Sequence, residues 1–375
     1  MSFPSSDSFS TETADGWGQK EPSAPWPDDP VFPQGSSESE GAKTSAQRCV
    51  CTKRKRGRNL VVCIDGTSNK VGMNVSDGSY VHVIKSETQL TYYNSGIGAH
   101  TTPLRNRLNR YFRQATSTVD LVMAWSLERG ISDAYRWLSD NYRDGDKIFL
   151  FGFSRGAYQV RALAGMIREA RSSFQNALLT LNIDSMMQVG LILPGNTVQI
   201  PYAYQVYQAI NSGTETSREL ARHFKITCSR PNVMVHFIGV WDTVSSVGFI
   251  RGKTLPSTTG SIDHFCQFRH ALALDERRVK FMPEYINGGK SDTKHDYIQE
   301  MWFPGCHSDV DMPLLWMRAE AETAGLNFDQ WNDITFKQSD LEAQGRTSLH
   351  GPWWLLEFLP IRRMHNNNAN GHARW

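Results

Sequence analysis

The chain has 375 residues, of which 39% are hydrophobic, 21% charged and 11% aromatic, and its formal net charge is +2. That length can bury one large core or two ordinary ones, and the charge balance gives no reason to expect a nucleic-acid partner. Six cysteines without a C-x-x-C pair, Cys49 and Cys51 being the only close ones, exclude a disulfide scaffold and argue against a structural metal site.

Residues 1–57 are rich in Ser, Pro, Asp, Glu and Gly and almost lack aliphatic side chains. They cannot bury enough apolar surface to offset their ordering entropy, so a disordered N-terminal segment is expected. It has neither the basic start nor the apolar core of a secretory signal, and no run of about 18 apolar residues occurs, so a cytoplasmic protein is the expectation. The closing "TKRKRGR" has the composition of a nuclear-import signal, although a solvated basic flank before the first strand is the favoured reading.

From Asn59 the texture changes. "NLVVCID" running into "DGTSN" reads as a strand ending in a turn, and "QLTYYNSGIG" as a second strand. Residues 119–142 place Leu121, Ala124, Ile131, Ala134, Leu138 and Tyr142 on one face of a long helix, which Asp144-Gly145 ends. "KIFLFGF" is apolar on both faces, as a buried parallel strand should be. A helix from about Arg155 to Arg168 follows, then a strand in "VMVHFIGVWD", a helical reading of "FRHALALDERR", and a strand in "EMWFPG". A last helix covers "PLLWMRAEAETAGL", with Pro313 near its start and Gly325 past its end. Strands alternating with helices predict a three-layer α/β/α sandwich around a mostly parallel sheet.

In "GFSRG", Ser154 sits between Gly152 and Gly156 at a strand-to-helix junction. A nucleophile elbow needs that context: the serine backbone is strained, and residues two before and two after must be small. The turn exposes the hydroxyl and sets the Arg155 N–H at a helix start, where an oxyanion is stabilised. The glycine-flanked pattern alone is weak in a chain with 29 glycines; its position between strand and helix makes it informative.

Such a serine needs a base and an orienting acid, arriving in that fold in the order Ser, Asp or Glu, His. "VMVHFIGV" delivers Asp242 and "EMWFPG" delivers His307, both just past the C-terminal ends of strands, where ligands bind in open α/β sheets. Asp309 is the alternative acid, but only two residues from His307 it needs a bent backbone to orient that ring. Among the other histidines, His236 reads as buried and structural, His270 as satisfied or on the surface of a helix, and His264, His295 and His350 lack a strand end. Cys306 reads as a small apolar neighbour of the histidine rather than a second nucleophile.

"VVCIDGTSN" is half of the aspartyl-phosphatase pattern, but Cys63 stands where the nucleophilic Asp would be, which leaves a phosphatase using Asp65 as a poor reading. The turn fits better as a second wall of an oxyanion hole, with backbone N–H groups of Gly66 and Thr67 facing Ser154.

Together with "VVCIDGTSN" and "QLTYYNSGIG", the stretches "DKIFLFGFSRGAYQVRALAGMI", "VHFIGVWDTVSSVG", "FRHALALDERRVKFMPEY" and "WFPGCHSD" resemble an α/β-hydrolase family long described as a domain of unknown function. It has fungal members and is related to phospholipase effectors of type VI secretion. The resemblance covers about residues 58–326 and implies a serine hydrolase with Ser154 as nucleophile, Asp242 as acid, His307 as base and no cofactor. The expected organisation is a disordered segment 1–57, a hydrolase-like domain 58–330 interrupted by an insertion at 171–188, and a C-terminal extension 331–375. The chain departs from the family pattern in that insertion, in a shorter stretch after "DGTSN", and in "HSDV" running straight into "DMPLLWM". One hypothesis covers all three departures, an imperfect gene model, which sequencing the transcript would test.

The bacterial relatives imply a lipase- or phospholipase-like ester hydrolase acting on a small-molecule or lipid ester. In "GPWWLLEFLP", residues 351–360, two tryptophans beside Leu and Phe are compatible with transient contact at a membrane surface, though aromatic packing over the core is the commoner use. The short loop after His307 motivates the rival reading, a catalytically inactive member kept as a binding or scaffold protein.

Overall fold

The computed structural model describes residues 57–66, 86–96, 116–167, 188–244, 255, 265–278, 281–286, 297–328 and 348, with only the backbone described for 116–124. Most of the expected disordered segment, Thr67, nearly all of 171–188, the "GPWWLLEFLP" stretch and His264, His295 and His350 lie outside those residues.

Six strands form one sheet: β1 (Asn59–Ile64), β2 (Gln89–Asn94), β3 (Lys147–Phe153), β4 (Val235–Trp241), β5 (Phe265–Ala273) and β6 (Ile298–Phe303), in the spatial order β2-β1-β3-β4-β5-β6. Every neighbouring pair is parallel. The helices are α1 (Thr116–Asn141), α2 (Arg155–Ile167), α3 (Ile200–Ala209), α4 (Glu215–Cys228) and α5 (Asp311–Thr323).

Alternation along β1 explains the layers. Leu60, Val62 and Ile64 face a core shared with α1, α2, α3 and α4, whereas Val61 and Cys63 face a second core with Leu314, Met317 and Ala321 of α5. Period-two side chains on a sheet buried on both faces demand helices above and below, which is the three-layer sandwich the sequence predicts. In β4 the alternation breaks. Val235 belongs to the first core and Phe237 to the second, because the pairing with β3 passes from Val235 to Phe237 between Ile148 and Phe149. His236 is the extra residue of this bulge, which shifts the phase of the strand that ends at Trp241. It is buried, bonds the Ala324 carbonyl at 2.9 Å and meets the Phe149 ring edge-on, a structural role as expected.

Two differences from the expected elements stand out. "FRHALALDERR" begins as β5, not a helix: Ala and Leu favour helices in isolation, but a slot between β4 and β6 overrides that preference. The helices α3 and α4 were not anticipated at all, although Thr214 caps α4 by accepting from the Ser217 N–H at 3.3 Å.

The strand order places the chain reversal between β1 and β3: β2 lies on one side of β1, and β3 to β6 follow on the other. Such a switch point opens a crevice at the C-terminal strand ends. No described helix is long and apolar enough to cross a membrane.

Candidate active site

Ser154 follows β3 directly and precedes the first residue of α2. Its φ is +56°, a left-handed conformation rare for a non-glycine residue and expected at a nucleophile elbow. The glycines on either side are there because nothing larger fits. A Cβ on Gly152 would lie 2.6 Å from the Gly156 carbonyl oxygen, and one on Gly156 would collide with the Ile64 carbonyl of β1. The bend is tied to the neighbouring strand: the Ser154 N–H donates to the Trp241 carbonyl at 2.9 Å, and the Val244 N–H donates to the Ser154 carbonyl at 3.2 Å.

Because α2 starts at Arg155, the positive end of its dipole lies beside Ser154. Burial pulls the Arg155 guanidinium down to about 10. Gly66 lies against the serine, since a Cβ on it would sit 3.4 Å from the Ser154 Cβ. Its N–H, expected to face Ser154, donates instead to its neighbour Asp65 Oδ1 at 2.7 Å. The other oxygen of the buried Asp65 accepts from the Tyr93 hydroxyl at 2.9 Å. Burial, with Asp65 beside it, pushes the Cys63 thiol up to about 12 and leaves it unreactive near neutral pH.

Asp242 and His307 come together from the ends of β4 and β6. His307 Nδ1 stands 3.1 Å from Asp242 Oδ2, and both side chains are buried. The Asp242 backbone is also left-handed, with φ +38°. Its Oδ1 accepts from the Ala273 N–H at 2.8 Å, and its own N–H donates to the Ala271 carbonyl at 2.9 Å. Asp309 has other work. Its Oδ2 accepts the Cys306 N–H at 2.8 Å and its N–H donates to the Cys306 carbonyl at 2.9 Å, which closes the turn carrying His307. Cys306 itself is buried, and burial raises its pKa, in line with a packing role.

The His307 ring packs against two aromatic rings, Phe153 at 4.8 Å and Phe281 at 4.8 Å, the latter edge-on. Its backbone N–H donates to Glu276 Oε2 at 3.2 Å, and Glu276 also forms a bidentate pair with Arg278, with both oxygens at 2.8 Å. Burial alone would raise the Glu276 pKa; the Arg278 side-chain and amide bonds and the His307 amide outweigh it and hold the carboxyl at about 2. Arg278 in turn lies over the Phe281 ring at 3.8 Å. Neither Glu276 nor this cage was anticipated, and the dense charge of "DERR" was the one signal of it in the sequence. No cluster of His, Cys, Asp and Glu suited to a metal ion occurs among the described residues.

The sequence matches the family described as T6SS, phospholipase effector Tle1-like, catalytic domain, over residues 58–172 and 181–329. The chain belongs to this family. The resemblance carried by the sequence motifs is thereby borne out.

Among curated proteins, an uncharacterised protein of Saccharomyces cerevisiae, YEL023C, is 32% identical over 246 residues, covering 60% of this chain and 32% of its own. The chain thus spans about a third of the length of that relative. Among solved structures, an uncharacterised Pseudomonas aeruginosa protein is similar at 15% identity with a TM-score of 0.39, covering 81% of this chain and 50% of its own. The Tle1 effector, solved bound to the VgrG spike of the type 6 secretion system, is 21% identical with a TM-score of 0.30, covering 68% and 51% respectively. The peroxisomal α/β-hydrolase Lpx1 of Saccharomyces cerevisiae is 10% identical with a TM-score of 0.28, covering 79% of this chain and 88% of its own.

Proposed function

We propose that the protein is a serine hydrolase of the lipase or phospholipase type that cleaves a carboxylic ester, and that residues 58–330 form its catalytic unit. The buried Asp242–His307 pair, its acid at the end of the strand that bonds the backbone of Ser154 with its φ of +56°, is the observation that supports this reading.

Asp242 accepts from Nδ1–H and leaves Nε2, on the far side of the ring, to take the Ser154 proton. Ser154 Oγ then attacks the acyl carbon, and the charge that develops on the carbonyl oxygen falls at the N-terminus of α2, where the Arg155 N–H is the first donor. The Gly66 N–H, turned to Asp65, is not available as the second donor in this arrangement. His307, now protonated, gives its proton to the leaving alkoxide. A water activated by the same ring later releases the acid and regenerates Ser154. The family's name points to a lipid ester as substrate, and the chemistry uses no metal or organic cofactor.

A fluorophosphonate probe on the full chain, with Ser154→Ala as control, tests the reading. Covalent labelling lost in the variant supports it. A folded wild-type protein that does not label points to the rival, a binding or scaffold protein without activity. Hydrolysis of phospholipid and short-chain ester panels by the labelled protein then identifies the ester class.

A further inference from the structure

Behind Asp242 lies a second histidine–carboxylate pair that the proposed chemistry does not use. His270 and Glu300 are direct register partners on β5 and β6, with His270 Nδ1 2.9 Å from Glu300 Oε1. His270 is fully buried. Its other ring nitrogen, Nε2, accepts the Thr243 N–H at 3.1 Å, and Thr243 is the residue that follows Asp242. An amide nitrogen can only donate here, so Nε2 carries no proton, and the ring's proton sits on Nδ1 and is given to Glu300. Glu300 Oε1 also accepts the Ile286 N–H at 3.0 Å, so the carboxylate is itself held in place.

The loop that bears Asp242 has every reason to need this support. Asp242 is in a left-handed conformation, and Thr243 is wholly buried, so its N–H cannot turn to water. The neighbouring atoms of the loop are fixed in the same way: the Thr243 carbonyl accepts the Glu284 N–H at 2.8 Å, and the Val244 N–H donates to the Ser154 carbonyl. The Glu284 carbonyl accepts from Arg161 Nη1 of α2 at 2.6 Å. One connected set of bonds therefore joins the helix behind Ser154, the loop of Asp242 and the edge of the sheet.

We propose that His270, locked by Glu300 as its Nδ1–H tautomer, is a positioning residue that fixes the Asp242 loop through the Thr243 amide. Removing the Glu300 acceptor frees the ring to carry its proton on Nε2, where it faces the Thr243 N–H donor to donor and pushes the loop off its site. The catalytic consequence rests on the hydrolase reading above; the structural one does not.

Glu300→Met and Glu300→Gln in the full chain separate the roles of shape and hydrogen bonding, because glutamine keeps an acceptor for Nδ1–H and methionine does not. The ¹⁵N spectrum of wild-type imidazoles near neutral pH gives His270 as the Nδ1–H tautomer; an Nε2–H signal overturns the proposal. Hydrogen exchange at the Thr243 amide rises about a hundredfold in Glu300→Met while the β3 amides keep their protection, and Glu300→Gln stays near wild type. Fluorophosphonate labelling of Ser154 falls in step, by about a hundredfold for a loop displaced on the order of 1 Å. Unchanged Thr243 exchange in Glu300→Met, or equal losses in both variants, overturns the proposal. If the wild type does not label, the hydrolase reading fails while the exchange and tautomer measurements still decide the role of His270. Should Glu300→Met not fold, His270→Gln against His270→Met asks the same question, with protection of Thr243 expected only in the former.

Discussion

Glu276 accepts the backbone N–H of His307 at 3.2 Å, so the histidine is held by its main chain as well as by its ring. The same carboxylate takes the Arg278 guanidinium, which covers Phe281, which in turn meets the His307 ring. This arrangement explains how a three-residue connection, Ser308 to Val310, suffices between His307 and α5. Glu276→Ala leaves a buried amide and a guanidinium without their acceptor, at about 1–3 kcal/mol. We expect a lower melting temperature by calorimetry and slower labelling of Ser154. Glu276→Gln, which keeps an acceptor for the His307 N–H, should lose less of both. Equal labelling rates in wild type and Glu276→Ala would show that the cage does not position the histidine.

Asp242 and Asp309 make opposite predictions. Asp242→Asn retains the shape but can present its amide to Nδ1 and favour the wrong tautomer, a change worth on the order of 10⁴ in turnover where a triad operates. Asp309→Asn keeps an oxygen for the Cys306 N–H and has no bond to the His307 ring, so it should stay within about threefold of wild type. Steady-state ester hydrolysis of the two variants checks the assignment, and the reverse ranking would move the acid to Asp309.

Much of this was legible in the sequence, and the parts that were not share a cause. β1, β3 and β4 are short apolar runs, α2 follows a small-residue turn and β6 shows in "EMWFPG", so local pattern finds them and places Ser154, Asp242 and His307 past strand ends. Local pattern does not contain register. That His270 stands opposite Glu300, or that the Glu276 carboxylate reaches the His307 amide 31 residues on, follows from strand pairing alone. β5 fails for the same reason: its helix-favouring Ala and Leu are overruled by neighbours distant in sequence. Gly66 shows a finer gap: it lies against Ser154, but its N–H turns to the adjacent Asp65, which no local pattern announces.

Gly156 tests the elbow without touching a reacting group. Its Cα packs so close to β1 that an added Cβ meets backbone, lying 2.7 Å from the Asp65 carbonyl oxygen as well as striking Ile64. Backbone cannot move aside as a side chain can, so Gly156→Ala should lose about 1–3 kcal/mol by overpacking and shift α2 away from β1. The measurements are denaturant unfolding and the labelling rate of Ser154. An alanine variant as stable and as quickly labelled as wild type would mean that the turn tolerates a side chain there.

Acid should weaken the fold in two separable steps. Burial lowers the His270 pKa below its ordinary 6.5, with the Glu300 hydrogen bond and charge opposing and Arg161 reinforcing it; Asp242 also faces the ring and opposes. The unfolded chain then binds that proton at higher pH than the folded one, so stability falls as pH drops below 6.5 and continues to fall until His270 titrates in the native state. Glu276, held at about 2 against an ordinary 4.5, contributes stability that is present above 4.5 and lost as pH falls toward 2. Melting temperatures across pH, taken as differences between wild type and variant, isolate each group. His270→Gln should flatten the step that begins near 6.5 and leave the lower one, and Glu276→Gln should do the reverse. A His270→Gln difference that does not change between neutral pH and about 5 would show that the buried imidazole is not the group whose protonation the fold resists.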